Sequence, residues 1–187
     1  MLGEIWRVWR ASRARETRTA AYVDAILAEP TEEEVAWLAA NGTSGDADHA
    51  RWELRYARRA LGLLTAQRDA LDDRTASEVA HALERAMAAE PSVAPEMRRV
   101  ASRQLNARLR AYGEAIQRRA APGTTWHLGS ALLGFAGRQG AAGDAVIGGA
   151  GEIAARYLEE TNAALRECFG TAVLPDDVAP SAMVPRR

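Results

Sequence analysis

Three histidines have the clearest capacity for chemistry in this sequence, because imidazole binds metals and transfers protons near neutral pH. Asp46, His49 and Glu53 are spaced by three and four positions, so on one helix they share a face. Imidazole and carboxylate groups are ligands that zinc and iron accept. A helical bundle can present such ligands inward from different helices. One hypothesis is therefore a metal site formed by His49 and Glu53 together with His127 from another helix.

A simpler arrangement explains the same residues without a metal. Asp46 can cap a helix through its side chain, with His49 and Glu53 as partly exposed neighbours in the turns that follow. Asp46 and Glu152 could complete a metal site only if the tertiary structure brought them to the histidines. The capping arrangement is favoured, and a metal-binding bundle enzyme is the second hypothesis.

Other combinations typical of catalysis are incomplete. Glu78 and His81 have the Glu-x-x-His spacing of di-iron bundles, but the second motif is missing and His81 lies off the apolar helix face. Ser130 and Cys168 lie in no nucleophile-elbow or cysteine-protease signature. The sequence has no lysine, which excludes a Schiff-base lysine and a P-loop lysine. Catalytic residues and a cofactor are left unassigned.

A glycine-rich segment follows Trp126 and His127, with glycine at every third position from Gly134 to Gly143. His127 is expected near a helix N-terminus, where the helix dipole is positive. Glycine lets the backbone approach a ligand or bend as a hinge, but it also lets two helices cross closely. Both interpretations are open, and Trp126, His127, Gly140 and Gly143 are the candidate pocket or hinge residues.

Apolar and basic residues alternate with helical spacing near the start of the sequence. Leu2, Ile5, Trp6 and Trp9 form the apolar stripe among arginines, which is typical of an interfacial amphipathic helix. Tryptophan serves equally well as an anchor between protein subunits, and Glu4 dilutes the positive charge. Trp6 and Trp9 are therefore predicted to mediate packing or self-association, with a membrane surface as a less favoured partner.

A second arginine-rich cluster lies in the predicted central helix. Trp52, Arg55, Tyr56, Arg58 and Arg59 could together bind an acidic partner by stacking and ion pairing. The alternative is a solvated helix face with local pairing. The nearly neutral sequence favours the solvated face.

Composition limits the choice of partner. The 187 residues are 48% hydrophobic, which is enough for a buried core, and 24 basic residues, all arginine, nearly balance 25 acids. A net charge of −1 supplies no general attraction to a polyanion, which argues against nucleic acid. One cysteine, no apolar leader segment and no run of about 20 apolar residues predict a cytoplasmic protein.

Helical periodicity covers most of the sequence and predicts an all-α bundle of six or seven helices. Capping boxes at Thr31 and Thr75, and Asp144 as a cap, mark predicted helix starts. The predicted helices cover residues 2–29, 31–41, 46–71, 75–90, 92–119, 145–169 and a segment from 125. Residues 1–170 are expected to form one helical domain, with 1–29 as an appended arm in one alternative. Residues 171–187, which contain three prolines, are expected to form a disordered tail.

The absence of a catalytic signature favours a non-catalytic helical binding or protein-interaction module. Self-association through Trp6 and Trp9 is the expected mode, so the predicted partner is a second copy or another protein. A metal-binding bundle enzyme and a peripheral membrane protein are the two alternatives.

Overall fold

Helices form most of the described chain. The computed structural model describes residues 2–70, 72–138 and 141–170, with side chains from residue 9 onward. Within these ranges there are seven α-helices, one 3-10 turn and no β-strand, which confirms the all-α prediction. The predicted tail, residues 171–187, lies outside the described residues.

The seven helices follow the predicted order, with shifts of a few residues at their ends. A 3-10 turn at Pro95–Met97 precedes the fifth helix. The helices are α1 (Leu2–Ile26), α2 (Glu32–Asn41), α3 (Ala47–Asp69), α4 (Asp73–Ala89), α5 (Arg98–Gln117), α6 (Thr124–Phe135) and α7 (Asp144–Phe169).

Side-chain caps begin two of these helices as predicted. Thr31 forms a capping box with Glu34: the Thr31 hydroxyl accepts from the Glu34 backbone N–H at 3.2 Å, and the Glu34 carboxylate accepts from the Thr31 N–H at 2.6 Å. Asp46 accepts from the His49 backbone N–H at 2.9 Å and caps α3. These caps satisfy N–H groups that have no partner inside the helix.

Three predicted helix starts are wrong. Thr75 is not the cap of α4, because Asp72 accepts from the Thr75 N–H at 2.6 Å and starts the helix earlier. Gly143, not Asp144, is the N-cap of α7. The fifth helix begins at Arg98 rather than near residue 92, because the chain first makes a 3-10 turn at Pro95. In each case a nearby residue competes for the same terminal position, which sequence spacing alone does not resolve.

The third helix is the centre of the bundle, because each of the other six helices packs against it. Its apolar face is buried, including Ala50, Leu54, Ala57 and Leu61. The two alanines let neighbouring helices approach closely, while the leucines fill the space between them. Contacts with α3 therefore help to position every other helix.

No helix within the described ranges has the length and apolar character needed to cross a membrane.

Helices α6 and α7 cross through glycine. A Cβ at Gly129 would lie 2.1 Å from the Ile147 carbonyl oxygen, and one at Gly151 would lie 2.3 Å from the Thr125 carbonyl oxygen. Real Cβ atoms do not approach backbone this closely, so both positions require glycine. Neither glycine lies in the Gly134–Gly143 stretch, in which Gly134 and Gly143 have open space beside them.

We predict opposite effects for two Gly→Ala substitutions on these paired helices. Gly129→Ala forces backbone apart at the crossing and is expected to lower the free energy of unfolding by about 1–3 kcal/mol or more. Gly148→Ala, at a helical position with open space, is expected to raise it by up to about 1 kcal/mol. Urea unfolding followed by circular dichroism measures both changes. Equal stability of the two variants would contradict the glycine crossing.

Candidate functional site

The first candidate site, at His49 and Glu53, is more buried than predicted. His49 Nε2 lies 3.4 Å from Glu53 Oε1. The histidine is half-buried, but Glu53 is only 5% exposed. The prediction that Glu53 is a partly exposed neighbour is therefore wrong. The physical reason is an arginine from another helix that neutralises its carboxylate.

That arginine is Arg108 of α5. Its Nε donates to Glu53 Oε2 at 2.9 Å and its Nη2 to Glu53 Oε1 at 2.5 Å, in a bidentate ion pair. The Nη1 atom donates to the backbone carbonyl of Gln104 at 3.0 Å and also to the Gln104 side chain. Both charged groups are buried, and their donors and acceptors are matched, as a buried ion pair requires.

Aromatic rings enclose this ion pair. The Arg108 guanidinium lies 4.8 Å from the ring centre of Tyr56 and 4.3 Å from that of Phe135. Burial, with a further contribution from the Glu53 charge, raises the pKa of Tyr112 far above its ordinary value. The ion pair thus joins α3, α5 and α6 in a dry environment. Because Glu53 and Arg108 are both buried, the pair contributes to helix packing and is not open to a substrate.

His127 occupies a different part of the molecule. It is buried, its Nε2 lies 3.2 Å from the Ala120 carbonyl oxygen, and its ring meets Trp126 edge-on. Gly137, beyond the other end of α6, lies beside the His49 ring. From His127 to the end of α6 at Phe135 is eight residues, or about 12 Å of helix. The structure therefore does not bring His127 to His49 and Glu53.

Metal-ligating groups do not converge elsewhere in the described ranges. These residues contain no group of three or more His, Cys, Asp or Glu side chains placed to hold a metal ion. His81 is exposed, and its Nδ1 lies 2.8 Å from the Ser77 carbonyl oxygen, so the predicted solvated histidine is confirmed. Glu78 accepts from Arg74 at 2.8 Å.

Glu152 lies in a cleft of about 300 Å³ between α2 and α7, where Trp37 and Arg156 also contribute to the lining. Burial disfavours the charged form of Glu34 in this cleft. Hydrogen bonds from Arg156 and the Thr31 backbone outweigh that effect and hold the Glu34 pKa below its ordinary value. The Glu34 carboxylate is thus held by hydrogen bonds from Arg156 and Thr31 of the same chain. Gly140, a candidate hinge residue, lies outside the described residues.

The arginine cluster of α3 is used inside the protein. Arg55 bonds to Glu29 at 2.8 Å, Arg58 to Glu160 at 2.8 Å, and Arg59 to Glu90 at 3.0 Å. The prediction of a solvated face is wrong, because acids just after α1, just after α4 and within α7 reach these guanidinium groups. Sequence spacing did not reveal these pairings, since the partners are distant in the chain.

A groove between α4 and α5 is the most distinctive surface that sequence reasoning missed. Both helices pack on α3, and Leu63 of α3 contributes to the groove lining. Its volume is about 320 Å³. The apolar lining residues are Leu63, Ala80, Leu83, Met87, Ala88, Ala101, Leu105 and Leu109. Met87 and Leu109 are only half-buried there. Helical periodicity does not show that the apolar residues of these two helices remain partly uncovered.

Basic side chains border this groove. Arg98 and Ser102 line it and also line a shallow depression with Arg99 and Arg103. Within the described part of the chain, none of these three arginines has a hydrogen-bond, ion-pair or ring partner. Beside them, Met97 is 50% exposed. The site therefore combines an apolar groove with unpaired positive charge on the α5 side.

The predicted interaction tryptophans lie on the first part of α1. Trp9 is 48% exposed, and the Arg13 guanidinium lies 4.2 Å from its ring centre. Side chains 9–14 are all exposed, so this part of α1 extends away from the core. The Trp6 side chain lies outside the described residues.

No protein-family model matches the chain, no curated protein matches its sequence, and no solved structure matches its fold. The function is therefore inferred from the geometry of this chain's own residues.

We predict that the Glu53–Arg108 pair fixes α5 against α3. Glu53→Gln leaves the Arg108 charge buried without its counter-charge, and is expected to cost about 3–5 kcal/mol of folding free energy. The measurement is urea unfolding at neutral pH. Glu32→Gln, in the exposed pair with Arg51 at 2.8 Å, is the control and should leave the unfolding midpoint unchanged. An unchanged midpoint for Glu53→Gln would rule out this role.

Proposed function

We propose that this protein is a non-catalytic interaction module whose α4–α5 groove binds one amphipathic helix of a partner protein. The observation that carries the proposal is the groove itself. Two helices and the central α3 form an apolar trough of about 320 Å³ that no side chain of the described chain fills. Recognition of an amphipathic helix in such a groove depends on apolar anchors spaced at i, i+3 or i+4, and i+7.

The lining of the groove supports a helix as the occupant. Leu83 and Leu105 form a nearly inaccessible floor, while Met87 and Leu109 keep part of their apolar surface exposed. Covering such surface releases water and favours binding by roughly 25 cal/mol per Å² of apolar area. Methionine adapts its shape to different partners. The rim is polar, with Asn106 and Ser102 available for hydrogen bonds.

A non-catalytic role is supported by how the titratable groups are used. The Glu53 carboxylate is held by Arg108, the His127 ring lies against the Ala120 carbonyl, and the His81 ring lies against Ser77. Each contact fixes the protein's own backbone or helix packing. The groove lining contains no histidine, cysteine or tyrosine. We place the protein in the cytoplasm, in keeping with its single cysteine.

Self-association is a second candidate function, favoured by the exposure of Trp9. The side chains of residues 9–14 are all exposed around it. Pairing of two copies through this segment would cover Trp9. The groove and this segment are separate surfaces, so both functions can operate in one protein.

We predict that filling the groove weakens helix binding. The probe is a displayed library of random 16-residue peptides, selected on the full-length protein. Selection is expected to enrich amphipathic sequences that bind with micromolar affinity. Ala101→Phe, inside the groove, should weaken them at least ten-fold, because the ring occupies the space of an anchor. Ala107→Phe, exposed on the same helix but outside the lining, should bind normally.

Two outcomes would reject the groove as a binding site. One is selection without enrichment of amphipathic sequences. The other is equal binding by Ala101→Phe and Ala107→Phe, after circular dichroism has confirmed that both variants are folded.

We also predict a concentration-dependent dimer that depends on α1. Sedimentation velocity of the full-length protein from 1 to 200 μM should show the dimer, which buries apolar tryptophan surface. The variant Trp6→Ala with Trp9→Ala should remain monomeric, while Met97→Ala should dimerise normally. A wild-type protein that stays monomeric up to 200 μM excludes self-association. Binding of the same segment to anionic vesicles would instead support a membrane surface as its partner.

A further inference from the structure

We infer that the helix bound by the α4–α5 groove is acidic, with Glu or Asp residues on the flank that faces α5. This inference rests on the proposed function and specifies the chemistry of the partner. It is carried by three arginines, Arg98, Arg99 and Arg103, at the α5 side of the groove.

These arginines differ from those that pack inside the bundle. Other exposed arginines of the described chain, such as Arg118, Arg119 and Arg166, also have no partner, but they do not line the groove. On α3, Arg55, Arg58 and Arg59 all reach carboxylates within 3.0 Å. On the described surface of α5, by contrast, Arg98, Arg99 and Arg103 are exposed and have no partner. The protein thus neutralises its arginines where they pack internally and leaves positive charge unpaired beside the groove.

The position of two of these arginines is electrostatically unfavourable in the free protein. Arg98 and Arg99 lie in the first turn of α5, which contains no acid. The N-terminus of a helix carries a partial positive charge and favours acidic side chains there. Glu96 precedes them, but it makes no ion pair with either within the described residues. A carboxylate from a partner would relieve this unfavourable arrangement, and arginine can hold it in a bidentate contact.

The opposite rim sets the orientation of the bound helix. Glu84 of α4 lines the groove across from Arg98. A helix with acids on both flanks would meet repulsion from Glu84, whereas one with acids only toward α5 would not. The charges therefore predict an asymmetric partner helix: apolar toward α3, acidic toward α5, and neutral or basic toward α4.

The first part of this protein's own α1 does not fit that description. Its described arginines, Arg10 and Arg13, would face like charges on α5 if a second copy docked there. Like charges across an interface disfavour binding. A nucleic acid or an anionic membrane could bind the arginines, but neither would present apolar side chains to the groove. A partner protein with an acidic amphipathic helix is therefore the occupant that can contact both the apolar groove and the arginines beside it.

The test uses two matched synthetic helices. Both carry the apolar anchors of the peptide selected on the groove; one has Glu and the other Lys at the flank positions. The full-length protein is compared with the triple variant Arg98→Gln, Arg99→Gln, Arg103→Gln. The control variant, Arg118→Gln, Arg119→Gln, Arg166→Gln, removes the same charge from exposed positions away from the groove. Fluorescence anisotropy measures each Kd at 50 and 300 mM salt.

We expect the Glu peptide to bind the wild type at least ten-fold more tightly than the Lys peptide. The groove triple variant should bind the Glu peptide with about ten-fold lower affinity and the Lys peptide with nearly unchanged affinity. The control triple variant should bind both peptides as the wild type does. High salt should reduce the preference for Glu, since the arginines are exposed.

The outcomes separate the two proposals. Equal binding of both peptides, still blocked by Ala101→Phe, would overturn the acidic partner and leave the groove function intact. Binding of neither peptide would overturn the groove function. Equal losses in the two triple variants would mean that only net charge matters, which also overturns the inference. Binding of polyglutamate or DNA that Ala101→Phe does not weaken would identify a polyanion surface instead.

Discussion

The buried ion pair between Glu53 and Arg108 is the constraint on which the candidate site depends. Two charges removed from water must remain paired, because either one alone would carry a large desolvation cost. The bidentate geometry fixes the rotation of α5 about its own axis as well as its distance from α3. That rotation turns Leu105 toward the groove and leaves Arg99 and Arg103 exposed.

The distribution of arginines divides the molecule into two parts. Around α3, guanidinium groups meet carboxylates just after α1, just after α4 and within α7 and hold the bundle together. At the start of α5 they have no partner within the described chain. Since the sequence contains arginine but no lysine, every cation can form planar bidentate contacts. The same residue type therefore stabilises the fold in one place and supplies unpaired charge in another.

Local features were the most predictable from sequence. The capping box at Thr31 and the Asp46 cap depend on contacts three residues apart, and the apolar stripe through Leu54 and Leu61 follows from helical periodicity. Long-range features were not. The burial of Glu53 depends on Arg108, 55 residues later, and the separation of His127 from His49 depends on the direction of α6.

The sequence by itself determined the helical class and the approximate extent of most helices, because these depend on neighbours within one or two turns. Only the tertiary structure decided which apolar faces are fully covered, which arginines are paired, and which glycines lie at a helix crossing. Gly129 and Gly143 look alike in the sequence, yet only the first meets another backbone. The α4–α5 groove belongs to this second group, because it exists only where α4 and α5 pack on α3 without filling the space between them.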